Sequence, residues 1–281
     1  MMKTVNKWLC SVLGMVAVGM VLSSCAQKMF YYPDAVDYGN APTRYQQPFQ
    51  DIYFQSSDGT RLHGWFVPSR LHANPKLAKG TVVHFHGNAQ NVSSHYALVQ
   101  WLPENGYNVF TFDYRGFGTS EGKVGFAGIV ADADAALNHV RAMPEVDATR
   151  LFVLAQSIGG NKAIAAIGRG NRDGIRALVV DSTFYGYDAI ANDKFSGASV
   201  LVNDGLSAYR YIAAISPIPL LMLHGTADEV IPYAHGERLF EQAREPKQFI
   251  AVKNGQHIRA LNEPYYQQQV LQWFNRTGGG L

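Results

Sequence analysis

The chain has 281 residues, 47% of them hydrophobic and 16% charged, which is too apolar and too weakly charged for a disordered tail or a nucleic-acid scaffold. Its 2 cysteines exclude a disulfide framework and a Cys-rich zinc site. The 24 Lys and Arg are nearly balanced by 22 Asp and Glu and scattered singly, so no basic face for nucleic acid or for electrostatic membrane binding is implied.

Residues 1–24 differ from the rest. Lys3 and Lys7 form a positive head, and Trp8 to Leu22 is an uncharged apolar run. It is shorter than the ~20 residues of a membrane span and suits the apolar core of a secretory signal. The run ends Leu22-Ser23-Ser24-Cys25, which resembles the lipobox of bacterial lipoproteins, where the signal is cut before a cysteine that then carries lipid. Cys25 is accordingly expected at the mature N-terminus, as the lipidation site. An uncleaved anchor, or a plain signal beside a coincidental cysteine, is the alternative, and both put the body outside the cytoplasm. Lipid on Cys25 would supply the membrane contact, with more than one acyl chain needed for stable anchoring. Ala26 follows Cys25 in place of the Asp associated with inner-membrane retention, so the expected location is the bacterial cell envelope, at the outer membrane facing the periplasm.

Residues 25–50 are rich in Pro, Gln and Tyr without a clear period and read as a tether to a single domain over 51–281. From Asp51, strands are expected at 51–55, 62–67, 81–85, 107–112, 151–155, 177–180, 220–223 and 249–252. Helices are expected at 93–104, 128–143, 158–168, 233–243 and 263–274. The first strands succeed one another around Ser57-Asp58-Gly59, and the later ones are uniformly apolar and alternate with helices. That pattern predicts an α/β fold, a mostly parallel eight-stranded sheet with helices on both faces and an antiparallel start.

In such sheets ligands collect beyond the carboxyl ends of the strands. After the strand at 151–155 the sequence reads Gln156-Ser157-Ile158-Gly159-Gly160 and runs straight into a helix, the context of a nucleophile elbow, with Ala155 in place of the usual first glycine. Asp228 follows the strand at 220–223, and His257 follows the strand at 249–252. A serine hydroxyl needs a base to take its proton and an acid to hold that base in one tautomer. Ser157, His257 and Asp228 supply these in the chain order of the α/β-hydrolases. Oxyanion donors are expected from the Ile158 N–H, at the start of the helix, and the Asn88 N–H in His86-Gly87-Asn88-Ala89, with Ala89 the alternative.

From about Gln55 to Phe274 the chain resembles the α/β-hydrolase superfamily, and within it the small branch that includes the fungal bud-emergence homologue and its bacterial relatives. The resemblance rests on His86-Gly87-Asn88-Ala89, the run Asp113 to Gly122, Ser157 with Gly159-Gly160, Asp181-Ser182-Thr183-Phe184, the run His224 to Pro232, and Gly255-Gln256-His257. It implies an α/β-hydrolase fold with a small cap, here at 182–219, and a serine hydrolase. No third ligand lies at usable spacing from His84 and His86, and no Gly-x-Gly-x-x-Gly opens a helix, so no metal and no cofactor are expected. Relatives of this kind include esterases, lipid hydrolases and peptidases, so it leaves the substrate open.

The cap segment is aromatic and apolar enough for a pair of small helices, and Phe184, Tyr185 and Tyr187, just after the sixth strand, are the expected substrate-binding residues. Asp113 and Arg115 are expected to organise their loop through a buried charge pair, in keeping with the resemblance. His84 and His224 are read as packed or hydrogen-bonded histidines. The sequence-level expectation is a lipid-anchored carboxylesterase for short to medium acyl groups, acting on a small-molecule ester. A peptidase, a lysophospholipid or thioester hydrolase, and a non-catalytic envelope binding protein are the alternatives, and the oligomeric state is left open.

Overall fold

A computed structural model describes residues 30–202 and 204–278. Residues 1–24 and Cys25, with the signal and lipidation expected there, lie outside the described residues. The apolar runs become strands β1 Gln50–Gln55, β2 Arg61–Val67, β3 Gly80–Phe85, β4 Tyr107–Asp113, β5 Leu151–Gln156, β6 Ile175–Asp181, β7 Leu220–Gly225 and β8 Lys247–Val252. They form one eight-stranded sheet in the order β1-β2-β4-β3-β5-β6-β7-β8. Pairing is antiparallel for β1 with β2 and β2 with β4, and parallel across the rest.

Successive side chains on a strand point to opposite faces, so a strand covered on both faces must be apolar throughout. Val83, Phe85, Val153 and Ala155 join one core, together with Ile129 and Ala133 of α2 (Phe126–Ala142) and Ile164 of α3 (Ile158–Gly168). Val82, Phe152, Leu154 and Val179 join the other, under Val270, Leu271 and Phe274 of α6 (Pro264–Thr277). The remaining helices are α1 Val92–His95, α4 Tyr187–Lys194 and α5 Tyr233–Gln242.

Several expectations need correction. The helix at 93–104 is not continuous: α1 lasts one turn and passes into 3-10 turns at Tyr96–Leu98 and Pro103–Asn105. Pro103 lacks the N–H that a continuing helix would use, and Gly106 at φ 93° closes the segment in the left-handed region. The tether is not free along its described part. Phe30 and Tyr31 are buried, Gly118 N donates to Asp34 O at 2.8 Å, and Tyr38 N donates to Ser93 Oγ at 2.9 Å, so residues 30–40 form a strap bound to the domain. Asp113 and Arg115, finally, do not pair with each other. Arg115 holds Asp132 with Nη2···Oδ1 at 2.7 Å and reaches Asp58 of the β1–β2 turn, while Asp113 Oδ1 accepts from Val92 N at 2.9 Å and lies 3.3 Å from His86 Nε2. Asp113 closes β4 whereas Arg115 lies in the turn beyond it, and each finds its own partner.

Between β6 and β7 the cap consists of α4 and 3-10 turns at Ala198–Leu201, Ala208–Arg210 and Ile212–Ile215, so one helix stands where a pair was expected. Among the described residues no helix is long and apolar enough to cross a membrane.

Candidate active site

Ser157 lies between the end of β5 and the first residue of α3, with φ 53° and ψ −125°. This is a region that a non-glycine residue occupies only when its surroundings over-determine it. Here Ser157 N donates to Asp181 O at 2.9 Å, and Thr183 Oγ1 donates to Ser157 O at 2.7 Å. The turn also needs small followers. A Cβ on Gly159 would lie 2.3 Å from Phe85 O, and one on Gly160 would lie 2.7 Å from Thr183 Oγ1. Ala155 is fully buried on the sheet, where its methyl is accommodated.

His257, after β8, reaches across to this turn. Its Nε2 is 3.0 Å from Ser157 Oγ, and its Nδ1 is 2.8 Å from Asp228 Oδ2 and 3.1 Å from Oδ1. A carboxylate only accepts, so Nδ1 carries the proton, and Nε2 is left as the acceptor for the serine hydroxyl. Asp228 is held in turn by the N–H groups of Val230 and Ile231, at 2.9 and 2.8 Å, both to Oδ1. Burial pushes the Asp228 carboxyl up, but the hydrogen bonds from His257, Ile231 and Val230 outweigh it and keep it below the ordinary carboxylate range. Its side chain is fully buried, whereas that of His257 is 12% exposed. The result is a three-residue relay, shielded at the acid end and open at the serine.

His224 lies beneath the relay, bonding Ile231 O through Nε2 at 3.0 Å, and His84 bonds Thr111 Oγ1 and Gln156 Oε1. Both are buried structural histidines, and among the described residues no group of three or more potential ligands could hold a metal ion.

An apolar cavity of about 610 Å³ opens beside Ser157, bordered by Asn88, Ile158 and Phe184. The first N–H groups of a helix have no intrahelical partner, which leaves that of Ile158 at the helix start directed outward near the serine. The loop carrying Asn88 packs on the same turn, since a Cβ on Gly87 would lie 3.4 Å from Ser157 Cβ. Ala89 turns its carbonyl to His95 Nε2 at 3.1 Å. A second hollow of about 630 Å³, between Phe54 and α2, has no relay residue on its wall.

Of the three expected substrate-binding residues, only Phe184 borders the cavity. Tyr185 stacks on Tyr209 at 4.8 Å and accepts from Gln242 Nε2 at 2.7 Å, on the far side of the cap. Tyr187 is fully buried with its hydroxyl on Lys162 Nζ. Proximity in sequence to the strand end placed all three near the cleft, but Tyr185, ahead of the helix, turns to Tyr209 and Gln242, and Tyr187, the first residue of α4, turns inward onto Lys162. The wall is completed instead by Ile190, Ala191 and Phe195 of the cap, Val230 and Ile231 after β7, and Phe30 and Tyr32 of the strap. The sequence does carry a signal for the last pair, because Phe30-Tyr31-Tyr32 is an aromatic cluster at the head of an otherwise polar stretch.

The sheet order, the elbow at β5 and the relay define a hydrolase of the α/β class. Residues 76–202 match the family model described as serine aminopeptidase, S33. The chain is 45% identical to the YfhR protein of Escherichia coli (strain K12) over 249 residues, covering 88% of this chain and 86% of that protein. It is 30% identical to protein bem46 of Schizosaccharomyces pombe over 216 residues, covering 73% and 71%. The esterase Pf2001 of Pyrococcus furiosus superposes with a TM-score of 0.72 at 19% identity, over 89% of this chain and 98% of that one. The chain belongs to the α/β-hydrolase family that includes bem46.

Proposed function

We propose that this protein is a serine hydrolase that cleaves carboxylic esters of short to medium acyl chains through an acyl-enzyme. The observation that carries it is the unbroken relay Asp228–His257–Ser157 ending at the mouth of an apolar cavity. Ser157 Oγ attacks the ester carbonyl while its proton passes to His257 Nε2, and the tetrahedral oxyanion takes the N–H groups of Ile158 and Asn88. His257 then returns the proton to the leaving alcohol, and a water activated by the same imidazole releases the acid. Asp228 accepts from Nδ1–H throughout, orienting the neutral imidazole and stabilising the imidazolium that forms. Lipid on Cys25 would hold this site at the envelope membrane, facing the periplasm from the outer membrane.

A second reading, peptide hydrolysis, is favoured by the match to a family described as serine aminopeptidase. An aminopeptidase needs an anion for the substrate's ammonium group, but the cavity wall holds no carboxylate among the described residues and carries Lys194. Like charge would disfavour such a substrate there, which leaves the ester reading ahead.

The test is labelling with a fluorophosphonate beside turnover of p-nitrophenyl esters and aminoacyl anilides. Stoichiometric labelling of the parent, none of Ser157→Ala, and an ester turnover lowered by about 10⁴-fold or more in the variant are expected. A parent that takes no label, or a variant retaining activity within about tenfold, overturns the assignment. Anilides cleaved faster than any ester would move it to the peptidase reading.

A further inference from the structure

We propose that the N-terminal strap, Phe30 to Pro33, is a wall of the acyl-binding cavity and sets the length of acyl chain that Ser157 accepts, a reading that rests on the serine hydrolase proposed above. Phe30 and Tyr32 line the cavity together with Ile190 and Ala191 of α4 and with Ser157 and Ile158. The strap is fixed from three sides, so this wall is part of the folded domain. On one side Tyr31 and Tyr187 both accept hydrogen bonds from the buried amine of Lys162, which stands on α3 little more than one turn beyond Ser157. On the second, Phe30 sits edge-on against Tyr187 at 5.2 Å and Phe126 at 5.7 Å. On the third, Tyr32 N donates to Asn88 Oδ1 at 2.9 Å, and Pro33 forms a parallel bridge to Gln90.

The chemistry of the wall names the ligand class. Phe30, Phe184, Ile190, Ala191, Phe195 and Ile231 present hydrocarbon, and Lys194 is engaged by Val230 O at 3.1 Å. A carbonyl held at Ser157 would direct its apolar acyl chain along this surface, each buried methylene strengthening binding until the chain meets the ring of Phe30. The same strap holds Asn88 through its side chain, so one segment bounds the acyl group and orients the loop that carries a proposed oxyanion donor.

The experiment compares active-site labelling rates for ethyl, octyl and dodecyl fluorophosphonates on the full chain, with Phe30→Ala and Tyr32→Ala. Truncating the wall should raise the dodecyl-to-ethyl rate ratio by roughly tenfold or more, the discrimination typical of altered room in an apolar pocket. A merely structural loss would lower all rates together and leave the ratio in place. Phe30 is buried, so its truncation endangers the fold, whereas Tyr32 is 57% exposed and carries the same test without that risk. A parent that is labelled, with a chain-length profile unchanged in the folded variants, overturns this proposal alone. A parent that reacts with none of the probes overturns the hydrolase assignment and the strap with it.

Discussion

Ser157 and Asp181 close adjacent strands and share a backbone hydrogen bond, yet their side chains have opposite fortunes. The serine hydroxyl has a partner and an opening, whereas the Asp181 carboxyl is 1% exposed, with Oδ2 accepting from Gln156 Nε2 at 3.1 Å and Oδ1 without a hydrogen-bond partner. Burial pushes its pKa from 3.8 up to about 6. A carboxyl whose pKa is raised by folding binds its proton more tightly in the native state, so its contribution declines as pH rises from about 4 through about 6. The loss at neutral pH is of order 3 kcal/mol. Asp181→Asn removes the titration and keeps an oxygen for Gln156. Its melting temperature should exceed the parent's by a margin that grows between about pH 4 and about pH 7. Thermal denaturation across that range checks this, and a margin independent of pH would mean that the carboxylate is not being desolvated.

Among the elements, the strands were the most legible. A run such as Leu151 to Ala155 can be buried only in a sheet covered twice, and the chemistry-bearing residues at its end follow from strand polarity alone. The relay is therefore legible in the sequence as Ser157, Asp228 and His257, because each stands on the loop after a strand. The cavity wall is not, since the direction of a side chain depends on how a helix starts, and α4 turns Tyr187 inward while Phe184 faces the opening. The strap was harder to read for a related reason: the aromatic cluster Phe30-Tyr31-Tyr32 marks it, but three residues have no period and do not say which distant element they pack on. Lys162 is the clearest case, a fully buried amine whose pKa burial drives well below its usual value. The native state binds fewer protons at this site than the unfolded chain, so stability should rise with pH from about 7 toward about 9. Lys162→Met should flatten that rise and stabilise the protein at neutral pH, because it removes the cost of stripping the proton from a buried amine. The Tyr31 and Tyr187 hydroxyls, 3.3 Å apart, remain to pair with each other. Urea denaturation at the two pH values measures both effects, and a variant less stable than the parent throughout would show that the amine holds the strap more strongly than it penalises the core.

For the whole molecule, the packed strap leaves only Ala26 to Met29 between Cys25 and Phe30, a reach of at most roughly 18 Å. A lipid on Cys25 would therefore hold the cavity mouth near the bilayer surface, in reach of esters that partition there. The same dense packing has a cost on the acid side. His84 on β3 and His95 on α1 have pKa values lowered from 6.5 to about 3, by burial first and by neighbouring His86 second. Burial also lowers His139 on α2 and His224 on β7. All four gain a proton more readily when unfolded, so stability present above about pH 6.5 is lost as pH falls through that value toward about 3. Asp181 acts in the opposite sense over part of this window and offsets close to one proton. With two histidines fully neutral in the native state, the balance still favours the unfolded chain by one proton or more near pH 5, or about 1.4 kcal/mol of stability for each pH unit. Unfolding free energies from urea titrations at a series of values from about pH 6 to about pH 4.5 should fall with about that slope. Stability that stays level or climbs over this range would mean that the buried imidazoles already carry charge in the folded protein, and the packing around β3 and β7 would have to contain anions that neutralise it.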